Sequence, residues 1–344
     1  MDFAKKIFVA VFVIFLVGLF AWAIFSPKQD FQEKIEETLE KQKERADLKF
    51  IGVTFSETVG GVKYWELEAK TATLNNDTET ADLLEVNGSF FEKNTAVLKF
   101  IAPKVFWNRN QKEIIIDQPF GYDRTSEKYL SRLKRQVNIK SGPAQIFQSA
   151  KKFYGDTQGA WFKATRLNWK LKTKKLSCDK GIVLNQGALT IYAQNLDGDV
   201  AFKKLSLTGN PSGLFISNDK EIRETRIFAD EFLVNAQKNE VSAINNVRIL
   251  SKDTKIESKK LSYRRAKEEL VISGSVKITY KDIDGQCEKA AYNPSRQIIT
   301  LEDKAQVKRD KNIIFGKKIQ IDLENDVINV SGKTKIVVDE EVLK

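Results

Sequence analysis

Histidine is absent from this 344-residue chain, and cysteine occurs only twice. Without histidine the protein lacks the commonest general base and the commonest metal ligand, which excludes histidine-dependent triads, histidine-ligated metals and imidazole proton shuttles. The two cysteines, Cys178 and Cys287, form no Cys-x-x-Cys motif, and only their even number supports a disulfide bridge between them. No carboxylate pair lies in an apolar context suited to acid–base chemistry. The sequence therefore predicts a protein that is not an enzyme and that holds no cofactor or metal.

Strands with one apolar face recur in the last third of the chain with a period of 29 residues. Apolar residues two positions apart are typical of a strand, and a long fixed period indicates stacked supersecondary units. Four apolar columns follow this pattern: Val241, Leu270, Ile299 and Ile328; Ala243, Ile272, Leu301 and Val330; Val247, Val276, Ala305 and Thr334; Ile249, Ile278, Val307 and Ile336.

Each repeat predicts a short strand, a polar turn and a second strand that bends. We expect the bend at one column, where glycine and asparagine tolerate positive φ readily: Asn245, Gly274, Asp303 and Gly332. Cys287 stands in a column of small residues, which favours a packing role for its thiol. One unit cannot bury its apolar face alone, so the units must stack into one sheet that curls on itself.

The N-terminus contains 19 residues without a charge, from Ile7 to Phe25. As a helix this segment spans about 28 Å, close to the hydrocarbon thickness of a membrane. The sequence predicts a cytoplasmic tail over residues 1–6, a single transmembrane helix over 7–25 and a helical stalk over 26–49. The alternative is a cleaved signal peptide that ends at Ala21-Trp22-Ala23. Both interpretations export the bulk of the chain.

A second, less regular β region is predicted over residues 50–221. Tyr64 to Ala69 alternates between apolar and polar side chains, Val183 to Tyr192 is interpreted as strand, and Asp197-Gly198-Asp199 is interpreted as a turn. An insert near residues 124–160 interrupts the pattern. The chain is thus divided into this region and a repeat region over residues 222–340.

The positive charge of the protein is concentrated in one segment. Residues 124–175 hold fourteen Lys or Arg and two acidic residues, a net charge of +12 against +11 for the whole chain. Aromatic residues interleaved with bases suit nucleic acid, but an exported protein has little access to it, and no nucleic-acid partner is predicted. Phosphorylated glycolipid headgroups, an anionic membrane surface and a solvated loop without a ligand all remain open.

The strand patterns resemble a known family. The predicted membrane span, the sequence from Phe50 to Glu57 and that from Tyr64 to Lys70 look like the LptC family of lipopolysaccharide export proteins, and Leu184 to Ile191 is similar to its later strands. The repeats from about 222 to 338 resemble the LptA/OstA domain of the same pathway. The basic insert and the presence of both domain types in one chain depart from the family's simplest members.

The resemblance implies an all-β protein, a curled β-jellyroll of stacked antiparallel strands behind one transmembrane helix. It implies an inner-membrane protein, largely periplasmic, whose apolar trough shields the acyl chains of lipopolysaccharide or a related glycolipid. The implied partners are an inner-membrane ABC transporter complex and an LptA-like or outer-membrane LptD-like jellyroll that joins through edge strands. The predicted lining residues are Leu270, Ile272, Val276, Ile278, Ile299, Leu301, Val307, Ile328, Val330 and Ile336.

Three alternatives stay open from the residues. The apolar residues of the repeats are equally consistent with a plain packed core. The whole chain is consistent with an exported scaffold of the cell envelope that binds proteins through sheet edges and transfers no lipid. An exported hydrolase with an unrecognised carboxylate site is the third, and systematic Asp and Glu substitution would test it.

Overall fold

The computed structural model describes residues 48–92, 95–122, 142–151, 160–199, 204–218, 222–235, 238, 240–264 and 269–338. Within these ranges no helix combines the length and the apolar character needed to cross a membrane. The predicted tail 1–6, the transmembrane helix 7–25 and the stalk as far as residue 47 lie outside the described residues. Residues 48–344 form one compact unit.

Twenty-four strands of the described residues form one antiparallel sheet. Its long strands lie at the two ends of the chain's β region, and each long strand is bent. The N-terminal ones are β1 (Leu48–Val59), β2 (Val62–Asn75), β3 (Thr80–Glu92) and β4 (Thr95–Asn108). Those of the repeats are β17 (Glu240–Ser251), β18 (Thr254–Arg264), β19 (Glu269–Tyr280), β20 (Ile283–Asn293), β21 (Ile298–Arg309) and β22 (Asn312–Asp322).

Pairs of short strands replace the bent strands in the middle of the sheet and at its C-terminal end. One set, which defines arm I, is β5 (Glu113–Asp117), β8 (Arg166–Lys170), β9 (Lys175–Cys178), β12 (Asn195–Asp199), β13 (Lys204–Thr208), β16 (Glu231–Asn235) and β23 (Val327–Ser331). The other, which defines arm II, is β6 (Phe120–Tyr122), β7 (Ala160–Ala164), β10 (Ile182–Gln186), β11 (Leu189–Ala193), β14 (Ser212–Asn218), β15 (Ile222–Phe228) and β24 (Lys335–Val337).

Each arm is an unbroken antiparallel ladder through the middle of the sheet. Arm I runs in the order β4-β5-β8-β9-β12-β13-β16-β17. Arm II runs in the order β4-β6-β7-β10-β11-β14-β15-β17. The bent strands join the arms at both ends of the molecule. The pairing crosses residue 221 without a break, and the division into two domains there stays a prediction.

The bends of the repeats fall at the predicted column. Asn245 has φ 59°, Gly274 84°, Asp303 60° and Gly332 85°, all in the left-handed region. The strand register also shifts beside these bends in the repeat ladders. The two glycines are also crowded, because an added Cβ would lie 2.9 Å from Cβ of Lys259 at Gly274 and 2.9 Å from Cβ of Lys317 at Gly332. The bend prediction is therefore confirmed.

The inner faces of the two arms pack against each other as one hydrophobic core. This core extends from Trp65 near the N-terminal edge to Leu323 in the last turn. Aromatic rings meet across it: Tyr263 of arm I packs edge-on against Phe215 of arm II, with ring centroids 5.3 Å apart. Curling the sheet thus buries the apolar face that a single repeat leaves exposed.

A helix covers part of the outer face of arm II. Helix α1 (Gly142–Lys151) lies within the predicted insert and buries Ile146 and Phe147. These two side chains pack in a second cluster with outward-facing residues of arm II, namely Phe120, Tyr122, Trp161, Val183, Leu214 and Ile216. The strand face that would otherwise be exposed to water is therefore covered within the chain.

The structure corrects three sequence-based interpretations. The segment from Val183 to Tyr192 is a hairpin of β10 and β11 rather than one strand. Asp197 to Asp199 is not a turn, since these residues lie in β12 and pair with strands on both sides. A Cβ at Gly198 would lie 2.5 Å from Leu205 Cδ2, so close packing explains this glycine. The first strand of a repeat is also longer than predicted, because β18, β20 and β22 extend beyond the bend.

Candidate functional site

Seven of the ten predicted lining residues are buried in the core between the arms. On arm I they are Leu270, Ile272, Ile299 and Leu301, and on arm II they are Val276, Ile278 and Val307. In this structure their side chains are covered by other side chains of the protein. Such burial is common to a packed core and to a closed lipid path, so the lining role stays a prediction.

The other three predicted lining residues lie at the C-terminal end of the sheet. Ile328 and Val330 of β23 are half-buried against the core, whereas Ile336 of β24 is 59% exposed. Both strands pair with β22 and with no other strand of the described residues. The apolar interior is therefore open to solvent at this edge.

The N-terminal edge is likewise unpaired on one side within the described residues. Among the described strands, β1 pairs with β2 alone. Ile51 on this strand is 88% exposed, and Phe50 is also exposed. An edge strand with free backbone groups is a template for pairing with another strand. The sheet therefore presents one such edge at each end.

The free margins of the two arms meet at the C-terminal half of the molecule. The Tyr280 hydroxyl donates a hydrogen bond of 2.7 Å to the carbonyl oxygen of Leu323 in the opposite arm. Asp326 of arm I lies 3.6 Å from Nζ of Lys281 and 3.5 Å from a guanidinium nitrogen of Arg309, both on arm II. We call these residues and Asp282 the clasp.

The charges of the clasp are mutually balanced at the surface. Arg309 Nε donates a 2.8 Å hydrogen bond to Asp282, which lowers the pKa of that carboxyl. The hydrogen bond with Tyr280, ahead of the pull of Asp326, raises the pKa of the Lys281 ammonium. Exposed ion pairs contribute little stability each, about 0–1 kcal/mol. The clasp closes the margin with interactions that are weak enough to be broken and remade.

An aromatic cluster fills the interior at the N-terminal half. Trp65 of arm II packs edge-on against two tryptophans of arm I, with ring centroids 6.1 Å away for Trp107 and 5.7 Å away for Trp169. Phe90 lies 4.8 Å from the Trp169 ring, and Phe55 lies 5.5 Å from that of Trp107. This part of the core is aromatic, whereas the core of the repeats is mainly aliphatic.

Two indole nitrogens of this cluster have no hydrogen-bond acceptor among the described residues. Trp65 Nε1 donates to Glu57 at 2.7 Å, but the buried Nε1 atoms of Trp107 and Trp169 find no partner in the part of the chain that the structure describes. A buried donor without an acceptor costs about 1–3 kcal/mol, so such groups are rare in native interiors. The sequence pattern does not single out Trp107, and it includes Trp169 only as one of the aromatic residues interleaved with bases in the basic segment. Neither pattern carries information about hydrogen bonding of the indole nitrogens.

The aromatic residues of the basic segment do not form a surface for bases to stack on. Trp161 is buried under helix α1, where it shares a cluster with Phe147 of that helix. Phe162 and Trp169 are buried between the arms. Phe153 and Tyr154 lie outside the described residues. In the described part of residues 124–175 the aromatic side chains are therefore buried, whereas Lys170, Lys172, Lys174 and Lys175 are exposed.

Neither cysteine forms a disulfide, and both are buried. Burial raises the pKa of the Cys287 thiol to about 11 and also raises that of Cys178. A thiol with a raised pKa is a poor nucleophile and a poor metal ligand at neutral pH. No group of three or more metal-binding side chains occurs within the described ranges. The packing role predicted for Cys287 agrees with its burial.

Comparison with protein families gives a match within the repeats. Residues 226–327 match the family described as LptA/(LptD N-terminal domain) LPS transport protein. The match begins in β15 and ends at the first residue of β23, so it spans the bent strands of the repeats and the whole clasp. It agrees with the resemblance to the LptA/OstA domain and covers less than one third of the 344 residues. No curated protein matches the chain.

Among solved structures, the chain is similar to LptH, the LptA homologous periplasmic component of the lipopolysaccharide transport device of Pseudomonas aeruginosa. The two sequences are 16% identical, and the TM-score is 0.31. The similarity covers 33% of this chain and 94% of that protein.

Proposed function

We propose that the protein is a non-enzymatic component of lipopolysaccharide transport that shields acyl chains between its two arms and passes the glycolipid from the inner membrane toward the outer membrane. The observation that carries this proposal is a coincidence of two findings. The residues that match the lipopolysaccharide transport family, 226–327, are those that form the most regular stretch of apolar interior.

The energetics favour an apolar interior as the place for acyl chains. Burying a chain contributes about 0.8 kcal/mol for each CH₂ group removed from water. In this structure the arms fill their own interior, so lipid loading requires the margins at the clasp to separate. Opening the arms breaks the weak interactions of the clasp and separates side chains that pack in the core. The free energy of lipid binding must offset the sum of these two losses.

We propose further that residues 7–25 anchor the protein in the inner membrane, with the described sheet in the periplasm. The resemblance of residues 50–70 to LptC supports this arrangement, and a partner ABC transporter would supply the energy for transport. The open edges at β1 and at β23 and β24 suit pairing with other jellyroll sheets, an LptA-like or LptD-like partner included.

Site-specific photocrosslinking in cells tests the lipid path. A photoreactive amino acid at Ile272, which faces the interior, is irradiated, and the protein is then blotted for lipopolysaccharide. Val271 is the matched control, because it is adjacent in β19, alternates to the outer face and is only half-buried. The proposal expects a glycolipid adduct at residue 272 and none at residue 271.

The opposite result would favour a different function. If neither position captures glycolipid in folded, abundant protein, while residues of the open edges crosslink to other proteins, the chain is an envelope scaffold. The observation consistent with this second function is that the protein's own side chains cover seven of the ten predicted lining residues.

A further inference from the structure

The free margin of arm I at the N-terminal half is strongly basic. Two neighbouring turns, residues 109–112 and 170–175, are joined by a backbone hydrogen bond of 2.9 Å from Leu171 N to Lys112 O. The side chains that they expose to solvent include six cations and no carboxylate: Arg109, Lys112, Lys170, Lys172, Lys174 and Lys175. We call these six residues the basic rim.

No ion pair that includes a cation of the basic rim occurs among the contacts of the described residues. Carboxylates do lie nearby, since Glu113 stands opposite Lys170 and Asp199 opposite Lys175 in the strand register. Glu79 is joined to the rim through its backbone, because its carbonyl oxygen accepts a 3.1 Å hydrogen bond from Arg109 N. Lys174 Nζ lies 4.5 Å from the centre of the Tyr64 ring on arm II, so one cation of the rim reaches across to the other arm. The contrast with the clasp is clear, since the clasp contains both acidic and basic residues.

The two indole nitrogens without acceptors lie directly behind this rim. Trp169 immediately precedes Lys170, and Trp107 precedes Arg109 by two residues, so each ring is attached to the last part of a strand that ends at the rim. Trp169 is only 3% exposed and packs in the aromatic cluster. The indole N–H groups of Trp107 and Trp169 are thus placed between the charged margin and the apolar interior, on strands that lead from one to the other.

This order of chemistry matches one class of ligand. An acylated, phosphate-bearing glycolipid has phosphates on its headgroup, carbonyl or hydroxyl oxygens where its chains are attached, and hydrocarbon beyond them. Cations bind phosphate, indole N–H groups donate to carbonyl oxygen, and aromatic rings contact the chains. We infer that the basic rim with Trp107 and Trp169 is a headgroup site for such a lipid. This inference rests on the proposed function and adds the place where the headgroup is recognised.

Equilibrium binding of radiolabelled lipopolysaccharide to the full chain, immobilised in non-ionic detergent, tests the indole donors. Trp169→Phe and Trp107→Phe keep an aromatic ring and remove the N–H, and each should weaken binding about 3- to 10-fold, as expected for one lost hydrogen bond. Trp161→Phe is the matched control, because its buried Nε1 also lacks a partner but lies under helix α1 on the outer face. Equal losses for all three variants, or none, would overturn the role of the indoles.

The same assay tests the rim. The triple variant Lys112→Gln, Lys172→Gln, Lys175→Gln should bind lipopolysaccharide about 10-fold more weakly, yet bind phosphatase-treated lipopolysaccharide as the unchanged protein does. The control is an equal loss of charge on exposed lysines of the repeats: Lys260→Gln, Lys277→Gln, Lys308→Gln. Equal weakening by both triple variants would show a diffuse charge effect and contradict the site.

Two further outcomes separate the possible failures. If inorganic pyrophosphate alone displaces the lipid fully, the rim is a site for free phosphate, and the assignment to a lipid headgroup is wrong. If the unchanged protein binds no lipopolysaccharide at all, the proposed function itself fails. If it binds and no variant differs, the proposed function stands and the headgroup site is refuted.

Discussion

The two halves of this sheet close the same interior with different chemistry. In the repeats, single strands bend at a column of left-handed residues, the core is largely aliphatic, and a clasp of balanced charges joins the margins. In the N-terminal half, aromatic rings fill the core, and two neighbouring turns on the margin of arm I expose six cations and no carboxylate. In the adjoining middle of the sheet, short strand pairs replace the bent strands. The difference shows that one continuous sheet can combine a regular scaffold, here the repeats, with a margin of different chemistry in the N-terminal half, where we place the headgroup site.

Truncation of the core gives the largest expected difference between the halves. Leu301→Ala in the repeats should lower the free energy of unfolding by about 2–5 kcal/mol, because it leaves a cavity among aliphatic side chains. Trp169→Phe in the N-terminal half should lower it by less than about 1.5 kcal/mol, since a ring remains and an unpaired donor is removed. Denaturant unfolding of both variants measures this. A greater loss for Trp169→Phe would mean that its N–H has a partner.

The bend column gives the next largest effect. Gly274→Val should destabilise the protein by about 1–3 kcal/mol, because a β-branched residue resists φ 84° and its Cβ would crowd Lys259. Asp303→Gly, at the same column of the next repeat, should be nearly neutral. Thermal unfolding of the pair checks the prediction, and equal stability of the two variants would contradict the requirement for a left-handed bend.

The hydrogen bond of the clasp is worth less. Tyr280→Phe removes the donor to the Leu323 carbonyl and should lower the free energy of unfolding by about 0.5–1.5 kcal/mol. It should also speed hydrogen exchange of backbone amides at the margins of β19 and β22, because the arms open more often. Exchange that stays unchanged at those amides would show that the clasp does not hold the margins together.

The smallest effect is a dependence on pH. Asp282 has a lowered pKa in the folded protein, so its stabilising contribution is present above the ordinary aspartate pKa and is lost as pH falls through the folded value. Asp282→Asn should therefore lower the melting temperature slightly at neutral pH, with the difference vanishing in strong acid. A difference that persists in acid would assign the effect to packing instead of charge.

Sequence patterns predict the repeats better than the N-terminal half for a physical reason. In the repeats, the bend column and the spacing of apolar residues at every second position occur four times. The strand positions predicted from one repeat are therefore supported by the other three. In the middle region Asp197-Gly198 has the composition of a turn but lies in a strand. The glycine is there because Leu205 of the neighbouring strand leaves no room for a side chain. Such close packing between strands has no local signal.

The candidate sites follow the same division. Burial of Leu270 and Ile299 follows from periodicity, whereas the exposure of Ile336 depends on its place on the last strand of the sheet. The unpaired indoles of Trp107 and Trp169 depend on the absence of an acceptor from other strands, which only the assembled sheet determines. Periodicity therefore predicts which residues face inward, while tertiary structure decides what chemistry they offer.

The most direct test of a continuous lipid path is photocrosslinking at both halves of the interior in the same cells. The inward positions are Leu167 in the N-terminal half and Leu301 in the repeats, with their neighbours Asn168 and Glu302 as controls. We predict lipopolysaccharide adducts at residues 167 and 301 and none at the controls. Folded protein without an adduct at either inward position would contradict a lipid path through this sheet.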